Sequence, residues 1–175
     1  IYVNGKHIHN LNVSNAIKAG IGLVPEDRKE EGIIKQRSVS VNMALPKMRK
    51  YTQSGFINKS RLDASALQVM TDLRLRPLDI EKHIGLLSGG NQQKVIIGRW
   101  IAADTQVFLF DEPTRGIDIG AKSEIYNLIE KLAKEGKAIV VVSSEMQEIM
   151  RISDRVLVMR EGKIAAELTG DDISE

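Results

Sequence analysis

No cysteine occurs in the 175 residues of the chain, which removes disulfides, thiolate metal sites and cysteine nucleophiles together and fits a reducing compartment. No apolar run approaches the roughly 20 residues a membrane-spanning helix needs, and no charged-then-apolar signal segment occurs. Any link to a membrane is therefore expected to run through a partner protein. One-sided charge is missing too: Lys and Arg total 25 against 23 acidic residues, interspersed along the chain. Without a concentrated basic face, nucleic acid is not expected as a partner. Internal repeats, low-complexity tracts and long Gly/Ser linkers are absent. So is a GxxxxGK[ST] phosphate loop, since the Gly-Lys pairs at Gly5, Gly136 and Gly162 are followed by His, Ala and Ile.

What is there suits one globular domain. With 42% hydrophobic and 27% charged residues, the composition is neither disordered nor fibrous and can bury a core. Ile1 opens within IYV, which with an Asn4-Gly5 turn and KHI carries a hairpin signature. Domains rarely begin in mid-sheet, so the chain is expected to be cut from something larger. Ser14 is expected to cap a short helix to Ala19, and IGLV at Ile21 to Val24 reads as a short buried strand stopped by Pro25. The EDRKEEG stretch that follows reads as a charged loop.

From Val39 to Met70 the apolar spacing is helical, with Leu62, Ala66, Val69, Met70 and Leu73 on one face and Asn58 or Ser60 as a cap. A helix from about Gly90 to Ala102 follows an SGG turn. Strand and helix then alternate: VFLF at Val107 to Phe110, a helix around Ala121 to Ala133, AIVVV at Ala138 to Val142, a helix near Met146 to Ile152, and RVLVM at Arg155 to Met159 before a final hairpin turn. Continuous apolar strands between amphipathic helices predict an α/β fold with a parallel sheet covered on both faces.

Two stretches carry chemistry. In LLSGGNQQKV, Leu86 to Val95, a hydroxyl residue, two glycines and an amide-rich first turn make a bare helix N-terminus, where free N–H groups and the helix dipole favour an anion. After VFLF, Asp111 and Glu112 stand at the C-terminal end of a strand, where ligands bind in open parallel sheets. An Asp there can hold a magnesium ion, and the neighbouring Glu can orient or activate an attacking water. DEPTRGID adds a second acid, Asp118, in the following loop.

Taken together, LSGGNQQK, VFLFDE and the segment through Asp118 resemble the signature motif, the Walker B strand and the D-loop of the ATP-binding-cassette ATPases. The spellings SGGNQQK, DEPTRGID and VVSSE are similar to the second, C-terminal cassette of the double-cassette ATPases that power bacterial importers of ribose, galactose and related sugars. The resemblance implies an α/β core of the P-loop NTPase type, here lacking Walker A, in three parts: residues 1–35 as a remnant of the N-terminal core, 36–87 as an inserted helical subdomain, and 88–175 as signature helix and Walker B core. It implies ATP and Mg2+ as cofactors, permease subunits as membrane partners, and a position in the cytoplasm on the inner face of the cell membrane. It further implies a facing cassette in the same full-length chain, whose nucleotide Ser88, Gly89, Gly90 and Gln92 would cap. The surface near the charged loop would meet the membrane subunit.

Asp111 then becomes the magnesium ligand, and Glu112, as candidate base, and Asp118 the catalytic carboxylates. Where many cassettes carry a glutamine and a histidine at the nucleotide, this sequence places Glu26 and Ser144. A serine hydroxyl is shorter than imidazole and carries no positive charge. This cassette's own site is therefore expected to bind nucleotide better than it hydrolyses it. Two other classes stay open: a DNA-repair or chromosome ATPase head, although no sustained heptads of a coiled coil are present, and a non-enzymatic regulatory module. The chain on its own is expected to self-associate through uncovered strands and to be inactive.

Overall fold

The computed structural model describes residues 1–10 and 12–173. It opens with the expected hairpin, β1 (Tyr2–Val3) against β2 (Lys6–His7), closed by Asn4 and Gly5 at φ of +50° and +74°. Both turn positions need φ above zero, which Asn and Gly tolerate. Helix α1 (Val13–Lys18) is capped by Asn12, whose side chain accepts from Asn15 N–H at 2.9 Å; Ser14 lies inside the helix instead of starting it. Strand β3 (Ile21–Val24) follows. The charged stretch after it is not an extended loop but a single wide helical turn, Arg28–Gly32, whose first amides donate to the Asp27 carboxylate.

The region expected to be helical from Val39 to Met70 is broken in the middle. Helix α2 (Val39–Ala44) runs into a tighter helical segment, Leu45–Tyr51, and then a small hairpin, β4 (Thr52–Gln53) and β5 (Phe56–Ile57). Ser54 and Gly55 close it at φ of +50° and +84°, a local turn that overrides the helical spacing around it. Helix α3 (Lys59–Asp72) then starts at its Asn58 cap and buries the expected face of Leu62, Ala66, Val69 and Met70.

Helix α4 (Gly89–Ala102) is the centre of the molecule, with Val95, Ile96 and Ile97 fully buried. It meets α3 at Gly98, where an added Cβ would fall 2.8 Å from Val69, and β3 at Gly22, where it would fall 2.6 Å from the Trp100 ring. The Trp100 indole N–H also donates to the Leu23 carbonyl at 2.7 Å. Arg99 lies buried within this helix and donates to the carbonyls of Asn42 and Gly32 at 2.8 and 2.7 Å. Burial pushes its guanidinium down to about 10.

Strand β6 (Val107–Asp111), helix α5 (Ile119–Lys134), strand β7 (Ala138–Val142) and helix α6 (Met146–Ile152) complete the alternation. The sheet is parallel in the order β3-β6-β7, with Val24 beside Phe110 and Phe110 beside Val141. One face, carrying Val24, Phe108 and Phe110, is sealed in a core with Ile96, Ile97, Ile125 and Ile129. Each such apolar side chain contributes about 1.5–3 kcal/mol on burial.

Two expectations about the sheet require correction. Its second face is not covered: Leu23, Val140 and Val142 are 50, 51 and 59% exposed. Nor does the apolar strand RVLVM join it, because β8 (Arg155–Arg160) pairs antiparallel with β9 (Lys163–Thr169) as a separate ribbon. Glu161 and Gly162 take φ of +50° and +75°, so the nearest partner along the chain is reached at little entropic cost. Among the described residues, no helix is long and apolar enough to cross a membrane.

Candidate functional site

Because β3, β6 and β7 run parallel, the segments that follow them emerge along one edge of the sheet. That edge gathers Glu26 and Arg28 after β3, Glu112 to Asp118 after β6, and Ser144 after β7. The N-terminus of α4 lies beside it, next to the Arg28 guanidinium.

Ser88 caps α4 with extended backbone, and its carbonyl accepts the first helical bond from Gln92 N–H at 2.9 Å. The N–H groups of Gly89 and Gly90 lie ahead of that bond, as the anion-site reading requires. Both glycines also have packing reasons. A Cβ on Gly90 would fall 2.5 Å from the Ala121 Cβ on α5, and one on Gly89 would fall 2.8 Å from Arg28 Nη2. Gln92 is turned inward, 6% exposed, with its amide donating to the carbonyls of Ile84 and Leu87 at 3.3 and 3.1 Å. These bonds support the turn from behind.

Asp111 is half-buried as the last residue of β6, opposite Val142. Glu112 leaves the strand at φ of +45°, a left-handed conformation that costs a non-glycine residue roughly 1–3 kcal/mol. Its N–H donates to the Val142 carbonyl at 2.9 Å, and its Oε1 accepts from Ser144 N–H at 2.8 Å. The Ser144 contact is thus made by the backbone, while its side chain is exposed. Next in the loop, the buried Thr114 hydroxyl donates at 2.8 Å to Glu148, which is 1% exposed at the start of α6. Asp118 caps α5, accepting from Ala121 N–H at 2.9 Å.

Two further pairings were not legible in the sequence. Lys122 on α5 donates to Glu145 beside Ser144 at 2.6 Å, and that hydrogen bond raises the Lys122 ammonium above its ordinary value. Glu26, expected at the nucleotide, pairs with Arg115 of the loop after β6, on a cavity of about 270 Å³ lined by Glu26, Asp27, Arg28, Lys29 and Arg115. The sequence shows these charges only as a run of polar residues, and a charge run carries no record of its distant partners.

The donor set suits a nucleotide in a specific way. Asp111 and Glu112 are adjacent carboxylates at a strand end, and among the described residues no group of three or more acidic or imidazole side chains surrounds one point. Magnesium ordinarily takes one or two carboxylates and completes its shell with water and substrate phosphates, which Asp111 at the strand end fits.

The chain is similar to known proteins over its whole length. A chain from Rhizobium meliloti named "Putative ribose/galactose/methyl galactoside import ATP-binding protein 1" is 46% identical over 175 residues, covering 100% of this chain and 35% of that protein. The Streptomyces avermitilis "Ribose import ATP-binding protein RbsA 1" is 48% identical, covering 100% of this chain and 34% of that protein. The chain thus spans about a third of the length of these curated relatives. Among solved structures, the dimeric structure of MJ0796, a bacterial ABC transporter cassette, superposes with a TM-score of 0.69 at 26% identity, covering 85% of this chain and 62% of that one. Residues 1–115 match the ABC transporter family model, and the chain belongs to that family as part of its ATP-binding cassette.

Proposed function

We propose that this chain is part of the second cassette of a bacterial sugar-import ATPase, whose signature turn caps a nucleotide held by a facing cassette. The observation that carries the reading is the N-terminus of α4, Gly89 and Gly90, set beside Arg28, which bonds the loop that follows Asp111 and Glu112. The names of the sugar-import relatives support the substrate class, and the dimeric cassette supports the facing partner. Neither a chromosome ATPase nor a regulatory module is favoured by these relatives. Permease subunits are the membrane partners, and the cassette sits in the cytoplasm against the inner face of the membrane.

In this reading Asp111 holds magnesium, which when bound neutralises phosphate charge. Glu112, held through one oxygen by Ser144 N–H, keeps its other oxygen free to orient a water and accept its proton. Gly89 and Gly90 offer preorganised amide donors to a γ-phosphate presented from outside the chain. Asp118 holds the start of α5, and thereby the loop that reaches the facing cassette. Glu26 is engaged with Arg115 and Ser144 presents no imidazole, so this cassette's own site turns over slowly.

The test is reconstitution of the full-length ATPase with its permease in vesicles. MgATP-dependent uptake of ribose or galactose is expected, and Gly89→Asp is expected to abolish it. Hydrolysis with no sugar uptake, or uptake that survives Gly89→Asp, overturns the proposal.

A further inference from the structure

Arg28 belongs to the segment that reads in sequence as a solvated charge run, yet it reaches across the site edge. Its Nη1 donates to the Arg115 carbonyl at 2.8 Å and its Nη2 to the Gly116 carbonyl at 3.1 Å, partners 87 and 88 residues away. The same Nη2 occupies the space that a side chain at position 89 would need, 2.8 Å from where its Cβ would lie. One guanidinium, carried by the turn after β3, thus bonds the loop after β6 and lies beside the first turn of α4.

From this junction we infer that Arg28 is a positioning residue that locks the α4 turn and the loop at residues 113–118 into one relation, so that both meet a facing cassette's nucleotide as a unit. The inference rests on the functional reading above. A planar fork suits two carbonyls on successive residues, and a lysine, as a single-point donor, cannot span them. Gly116 presents its carbonyl from a left-handed turn at φ of +65°. Carbonyl acceptors do not neutralise the guanidinium, so its charge also adds to the field that favours an anion at the α4 N-terminus. A side chain at position 89 would have to displace the guanidinium from this place.

The experiment compares wild type, Arg28→Ala and Arg28→Lys in the full-length ATPase assembled with its permease. Both variants are expected to lose roughly tenfold to a hundredfold in kcat, with KM for MgATP changed by less than about threefold. Hydrogen exchange supplies the second readout. In both variants, amides of residues 114–118 should exchange faster without nucleotide, and MgATP should no longer protect residues 88–92. Protection at Val107–Asp111 should stay at the wild-type level.

Wild-type kcat in either variant overturns the inference, as does loss of protection at Val107–Asp111 in step with the loop. If Arg28→Ala does not fold, Arg28→Lys decides by the same criteria. If the wild-type complex hydrolyses no MgATP, the functional reading fails, while nucleotide-free exchange at residues 114–118 still decides the role of Arg28.

Discussion

Glu112 Oε1 accepts a hydrogen bond from Ser144 N–H at 2.8 Å, so the carboxylate that ends β6 is held by the loop that ends β7. The donor is backbone and the serine side chain is exposed, so Ser144→Ala should leave ATPase rates within about twofold. Glu112→Gln keeps an acceptor for the same N–H but removes the base, and should cut turnover about tenfold at an unchanged melting temperature. Gly89→Asp sets a carboxylate against a triphosphate and against the space of Arg28, and should cost at least about a hundredfold. Steady-state rates of the full-length mutants with their permease check the order. Equal losses would mean that the two sites depend on each other, and a greater loss for Glu112→Gln would overturn the division of labour.

A polypeptide of these 175 residues should bind MgATP no more tightly than about millimolar. It contains no GxxxxGK[ST] loop, the element that supplies most backbone donors to the β- and γ-phosphates. Calorimetric titration reads this directly, and saturable micromolar binding would contradict it.

The same polypeptide should self-associate through the uncovered sheet face of Leu23, Val140 and Val142. Sedimentation should show a mass that rises with concentration. Replacing Val140 and Val142 together by Lys should shift it toward the monomer, because both side chains point away from the Phe108 and Phe110 core. A strictly monomeric wild type would refute this.

The Lys122–Glu145 contact makes stability depend on alkaline pH. The hydrogen bond to Glu145 raises the Lys122 pKa on folding, so its stabilisation is full below the unfolded value of 10.5 and is lost as pH rises through the higher folded value. With both groups partly exposed, about 0.5–1 kcal/mol is expected. Denaturant titrations of wild type and Lys122→Met should differ by that amount at pH 8 and converge above the folded pKa.

Gly90→Ala should drive α4 and α5 apart, since its Cβ would fall 2.5 Å from the Ala121 Cβ. An overpacking cost of about 1–3 kcal/mol is expected. The double change Gly90→Ala with Ala121→Gly should recover most of it, and failure to recover would show that position 90 is constrained by something other than α5.

Much of the fold was legible because it is decided within a few residues. The Asn4-Gly5 turn, the Asn58 and Ser88 caps, the apolar face of α3 and the strands VFLF and AIVVV all depend on neighbours close along the chain. The misreadings arose where a short local signal or a distant partner won: Ser54-Gly55 broke an apparently helical stretch, and β8 took its nearest partner instead of the sheet.

The candidate site divides in the same way. Its residue types and their spacing, SGG ahead of a helix and Asp-Glu at a strand end, were present in the sequence, because donor and acceptor chemistry belongs to each residue. Their mutual arrangement was not. Arg28 on the carbonyls of Arg115 and Gly116, Glu26 against Arg115, and Glu112 on Ser144 N–H join segments 32 to 89 residues apart. Those contacts exist because three parallel strands bring their ends to one edge, and no local propensity encodes which charged side chain then finds which backbone carbonyl.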